Sequence, residues 1–160
     1  MPSDEKRVLL RAIAPVMKAA GFKKKDATWH RVRGGFIQTF NVQGSQWAKS
    51  FYLNLGIYIT ELGDEATPLE YRCHIRIRVG HLADDRARYE ELLDMENSIP
   101  HDMRFQELND IIALTAIPWL EELSDCQGIR NWISREQQDG LILKSVFDHY
   151  GATRPKKDGN

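Results

Sequence analysis

A chain of 160 residues, 42% hydrophobic and 28% charged with a net charge of −1, has the composition of one globular domain. It is long enough to bury a core without metals or disulfides, and its near-neutral total excludes the bulk electrostatics of a general nucleic-acid coat. No apolar run approaches the roughly 18 residues of a membrane span and no basic-then-apolar leader opens the chain, so a cytoplasmic location is expected.

The first predicted element is a helix from about Asp4 to Ala20. Ser3 is its cap, and Leu9, Ile13, Val16, Met17 and Ala20 form its apolar stripe. Pro15 lies inside the stripe and predicts a kink or early fraying. Gly21 ends the helix, and Lys23–Lys25 lead into the sheet. The runs Thr28–Arg33 and Phe36–Gln43 flank Gly34-Gly35, a hairpin signature that sets Trp29 opposite Phe40 and His30 opposite Thr39.

A third run, Phe51–Thr60, alternates: Phe51, Leu53, Leu55, Ile57 and Ile59 to one side, Tyr52, Asn54, Gly56, Tyr58 and Thr60 to the other. The fourth, Tyr71–Val79, puts Tyr71, Cys73, Ile75, Ile77 and Val79 on an apolar side and Arg72, His74, Arg76 and Arg78 on a polar one. This pattern predicts a four-stranded antiparallel meander with one packed and one wet face. After Gly80 the period becomes helical: an acidic helix over Leu82–Met95, a loop at Asn97–Asp102, a long apolar helix over Phe105–Leu123 bent near Pro118, a helix through Trp132 and Ile133, and last turns at Leu141–Tyr150. The expectation is a single α+β domain over residues 1–150, its N-terminal and C-terminal helices packed on one sheet face. Residues 151–160 read as a polar, disordered tail.

Charge is unevenly spread. Residues 1–80 hold 13 Lys+Arg against 7 Asp+Glu, a net of +6, whereas residues 81–160 hold 9 against 16, a net of −7. Such asymmetry predicts opposed faces, a partner that reads one half, or attraction between the halves.

The polar sheet face is the candidate ligand-binding surface: Tyr52, Asn54, Tyr58, Arg72, His74, Arg76 and Arg78. Same-face neighbours lie about 7 Å apart, where two cations in water repel by only about 0.6 kcal/mol. The adjoining strands supply no Asp or Glu, so water, the acidic helix around Asp84–Glu96 or an anionic ligand would balance the row. Arginine suits phosphate through its planar fork, and the aromatic rings suit stacking on bases. Gln46 and Trp47, on the loop between the second and third runs, are candidate interface residues, with Trp47 either a core plug or an interface anchor.

Catalytic signatures are missing. His30, His74, His81, His101 and His149 show no HxH or HExxH spacing, Ser45 lacks a GxSxG context, and Cys73 and Cys126 form no CxxC pair. No cofactor or metal is expected, and nothing favours an enzyme.

The stretches Gly21-Phe22-Lys23-Lys24-Lys25, Thr28-Trp29-His30-Arg31, Ser45-Gln46-Trp47, Phe51-Tyr52-Leu53-Asn54-Leu55-Gly56 and Cys73-His74-Ile75-Arg76 resemble the uncharacterised bacterial domain of unknown function 4304, over roughly Leu9 to Val79. The resemblance implies a bacterial single-domain protein and no particular activity. The functional expectation is a small protein-interaction module, such as an immunity protein that inhibits a cognate toxin. The alternative is a phosphate- or nucleic-acid-binding module, or a metal-free nuclease, using the basic sheet face.

Overall fold

The structure is a computed structural model that describes residues 2–136 and 139–155. Helix α1 (Asp4–Ala19) begins where Ser3 Oγ accepts the Lys6 N–H at 3.2 Å. It runs through Pro15 to Ala19, burying Leu9, Leu10, Ile13 and Met17. Packing of that stripe offsets the single backbone hydrogen bond that proline cannot make.

The sheet has six strands rather than the four expected. They are β1 (Lys23–Lys25), β2 (Thr28–Arg33), β3 (Phe36–Gly44), β4 (Phe51–Ile59), β5 (Ile75–Arg78) and β6 (Leu141–Ile142), every neighbouring pair antiparallel and in chain order. The two extra strands are the edges. Three lysines and a two-residue strand carry no apolar alternation by which sequence could announce them. The hairpin register is as expected: Trp29 opposes Phe40, their rings 6.0 Å apart and near-perpendicular, and His30 opposes Thr39.

Helices α2 (Arg86–Leu92), α3 (His101–Ile111), α4 (Ile117–Glu122), α5 (Cys126–Ile133) and α6 (Lys144–His149) complete the chain, and no helix among the described residues is long and apolar enough to cross a membrane. Between α3 and α4 the backbone makes a π turn over Ile112–Ala116, just ahead of Pro118, whose nitrogen has no hydrogen to donate. The main core lies between the helices and the sheet face bearing Trp29, Phe40, Leu53, Leu55, Ile57 and Ile75. Trp119 and Trp132 meet there edge to face at 5.4 Å.

The second sheet face is not wet throughout, which corrects the simple alternation. The fourth predicted run forms a strand only over Ile75–Arg78; Glu70–Arg72 make a 3₁₀ turn. The chain from Thr60 to Cys73 folds back over the outer face, so Thr39, Asn54, Tyr58, Cys73 and His74 are all buried. Cys73 leaves the side of Ile75 and lies 3.5 Å from Thr39 Oγ1. Gly56 makes room: a Cβ there would stand 2.6 Å from Thr39 Oγ1 and 2.7 Å from Cys73 Sγ.

At the C-terminus, Arg154 donates to the Ile142 carbonyl at 2.8 Å and lies over the Phe147 ring. The remainder of the expected tail, residues 156–160, lies outside the described residues.

Candidate functional site

Strand register places Tyr52, Asn54, Tyr58, Arg76 and Arg78, while Arg72 and His74 lie ahead of β5, at and beyond the end of the Thr60–Cys73 connection. Asn54 is one rung of a cross-strand ladder. It donates to Asn41 Oδ1 at 3.3 Å and Gln43 Oε1 at 3.0 Å, and Asn41 donates in turn to Thr28 Oγ1 at 2.9 Å. Tyr58 lies beneath the connection, its hydroxyl accepting the Glu65 N–H at 3.2 Å and its ring 4.6 Å from that of His74. His74 Nδ1 accepts the Ile59 N–H at 2.9 Å. Burial lowers the His74 pKa, against the opposing pull of Glu65, so the ring is a neutral acceptor.

Two of the three arginines are matched by carboxylates from the same connection. Arg72 Nε bonds Glu65 at 2.9 Å. Arg76 makes a two-pronged pair with the buried Glu70, Nε to Oε1 at 2.9 Å and Nη2 to Oε2 at 3.2 Å. Those hydrogen bonds raise the Arg76 pKa despite its partial burial. The acids that balance the row thus come from the segment before β5, not from the acidic helix. Arg78 differs. Among the described residues it has no carboxylate partner, and its guanidinium carbon lies 4.1 Å over the exposed Tyr52 ring.

Tyr52 and Arg78 form one wall of a cleft of about 350 Å³ at the end of the sheet. Its other walls are Ala48 and Ser50 from the β3–β4 loop and Arg86, Glu90 and Asp94 from α2 and the turn after it. Trp47, next to Ala48, is 92% exposed and so is not a core plug. Its loop is held rather than loose. The Ser45 N–H donates to Ser50 O at 2.9 Å, and the Trp47 N–H to Ser45 Oγ at 3.2 Å. The Phe51 N–H reaches Leu93 O at 3.1 Å and the Met95 N–H reaches Lys49 O at 2.9 Å, while Lys49 also pairs with Glu5 of α1 at 3.1 Å.

The segment that braces this loop is itself fixed by Arg104, a residue that the sequence reading missed. Arg104 is fully buried on α3 and donates to the carbonyls of Glu91, Leu92, Asp94 and Ile99 and to Asn97 Oδ1, at 2.6–3.2 Å. Backbone carbonyls at the C-terminal end of α2 thus stand in for a counter-ion. Its signal was available: Arg104 shares helical spacing with Leu108 and Ile112, a charge on an apolar stripe. Arg31 is a second missed case. It is buried on β2 with Glu121 at 2.8 Å, Gln38 at 2.7 Å and the Ala20 carbonyl at 2.8 Å.

Among the described residues no group of three or more His, Cys, Asp or Glu is arranged to hold a metal ion. The buried Cys73 thiol is pushed up to about 12, chiefly by desolvation, so it is not a ready nucleophile. The cleft carries a stacked Tyr–Arg pair and a rim of both charges, with the exposed Trp47 beside it.

No curated protein matches the chain, and no solved structure does. The domain of unknown function DUF4304 matches residues 13–122, a span holding β1–β5, α2, α3 and every residue that lines the cleft. The chain belongs to the DUF4304 family.

Proposed function

We propose that this protein is a protein-interaction module that docks a partner on Trp47 and the neighbouring Tyr52–Arg78 cleft. The observation that carries the reading is Trp47, 92% exposed on a loop tied through its backbone to the Leu93–Met95 segment and through the Lys49 side chain to Glu5 of α1. Trp, Tyr and Arg are the residue types that dominate interface energetics, and a braced loop loses little freedom on binding. Glu90 is paired with Arg86, which leaves Asp94 and Glu96 at the cleft to suit a partner with a basic surface, and a toxin neutralised by this chain as its immunity protein is such a partner. The setting we propose is the bacterial cytoplasm, where the free thiols of Cys73 and Cys126 stay reduced.

Phosphate binding on the sheet face is the weaker reading, because Arg72 and Arg76 already hold carboxylates and only Arg78 remains to meet an anion. The test is a photo-cross-linking residue at position 47 in the native host, with position 32 as the control, since Val32 is exposed on β2 away from the cleft. The expected result is a discrete adduct from position 47 that is missing from position 32. Identical adduct patterns from the two positions would overturn the proposal.

A further inference from the structure

The excess positive charge of the N-terminal half collects at a place that the strand pattern did not indicate. Between α1 and the β1–β2 hairpin runs a groove of about 750 Å³ whose charged lining is Lys6, Arg7, Arg11 and Lys24 against a single acid, Asp26. Arg7 pairs with the exposed Asp4; among the described residues Lys6, Arg11 and Lys24 have no carboxylate partner.

Local structure explains the gathering. Helical spacing puts Lys6, Leu10 and Ala14 in one row with Arg7 and Arg11 beside it. On β1, register pairs Lys24 with Trp29, whose side chain lies on the helix-covered face, so Lys24 points toward α1 while Lys23 and Lys25 point away. The Lys24 ammonium stands 6.0 Å from the Trp29 ring centroid. The groove floor is apolar, from Leu10, Ala14 and Ala27.

We infer that this groove is a docking surface for the phosphodiester backbone of a single-stranded nucleic acid. Lys6 and Arg11 are separated by about 7.5 Å along the helix axis at 1.5 Å per residue, so the groove presents cations at intervals along one line, as a backbone-tracking groove for a single strand does. Arginine forks and lysine ammoniums meet phosphate oxygens, and the apolar floor meets sugar faces without selecting a base. The near-zero net charge of the whole chain does not oppose this. Screening confines the field to about 10 Å, so the local sign governs. The surface is separate from the Trp47 cleft and does not depend on it.

The test is binding of a fluorescently labelled oligothymidylate of about a dozen nucleotides to the full chain across a salt series, with an oligoglutamate of equal charge as the comparison. Three phosphate contacts, one for each unpaired cation, predict a slope of log affinity against log salt of about −2, or roughly 20-fold weaker binding at 200 mM than at 50 mM salt. The Arg11→Ala/Lys24→Ala variant should lower the slope by about 1.4, whereas Trp47→Ala should leave it unchanged. Asp26→Asn keeps a residue that tolerates the positive φ of 57° at that turn, and removing the acid should tighten binding. Arg11, Lys24 and Asp26 are exposed, so unchanged melting is expected to accompany these shifts. No binding at 50 mM salt, a slope indifferent to Arg11 and Lys24, or equal binding of oligoglutamate would overturn the assignment.

Discussion

Arg76 and Arg78 stand two residues apart on β5 and project from the same side of the sheet, yet they have opposite fates. Arg76 is clamped between the prongs of Glu70, a carboxylate delivered by the chain that crosses the outer face. Arg78 lies past the reach of that crossing and rests on an exposed tyrosine. The same division runs through the molecule: Arg31, Arg72, Arg76 and Arg104 have internal hydrogen-bonded partners, whereas among the described residues Arg78, Arg11 and Lys24 have no carboxylate partner. A cation with an internal partner is part of the fold, and its removal is felt as lost stability. A cation without one costs the fold little, and its removal is felt only when something binds.

The hardest test of that division is Arg104. Truncation to Ala empties a buried space and strips the donors from four carbonyls, so Arg104→Ala should cost about 3–5 kcal/mol in urea unfolding. Because those carbonyls belong to the segment that braces Lys49 and Phe51, amides of residues 45–51 should also exchange faster in the native state. A loss below about 1 kcal/mol would mean that the clamp is incidental.

Glu70 offers a smaller effect and a sharper one. Glu70→Gln keeps the side-chain shape but removes the charge facing Arg76, and should cost about 1–3 kcal/mol. Combined with Glu65→Gln, it should also create salt-dependent binding of inorganic phosphate on the sheet face that the parent protein lacks. If the double variant gains no such binding, internal neutralisation is not what closes that face.

The smallest effect is on pH dependence. Because burial holds the His74 pKa below its usual value of 6.5, the unfolded chain takes up the proton first as pH falls. The stability tied to neutral His74 is complete above the unfolded value and is lost as pH falls through the folded one. His74→Gln should therefore flatten urea midpoints between about pH 8 and about pH 5, by on the order of 1 kcal/mol at most.

These contrasts show where sequence was informative. The Gly34-Gly35 turn and the alternation of Phe51–Ile59 set strand pairing and side-chain direction, because strand geometry is local. Direction is not exposure. Whether Arg76 meets water or Glu70 depends on a connection whose path over the sheet no periodicity encodes. The edge strands escaped for a different reason: Lys23–Lys25 and Leu141–Ile142 are strands only because a neighbour pairs with them. The basic groove was hidden because its cations come from a helix and a strand that meet only in the fold. Trp47 was legible as a residue out of place on a loop, and the structure resolved which way it faces.

Titrating the partner captured at position 47 against purified variants tests the account most directly. Trp47→Ala should weaken binding about 30-fold, the loss expected on truncating an interface anchor, with the melting temperature unchanged. Arg72→Ala, which removes a cation already held by Glu65, should leave the affinity as it was. Equal losses for the two variants, or an undiminished affinity for Trp47→Ala, would contradict it.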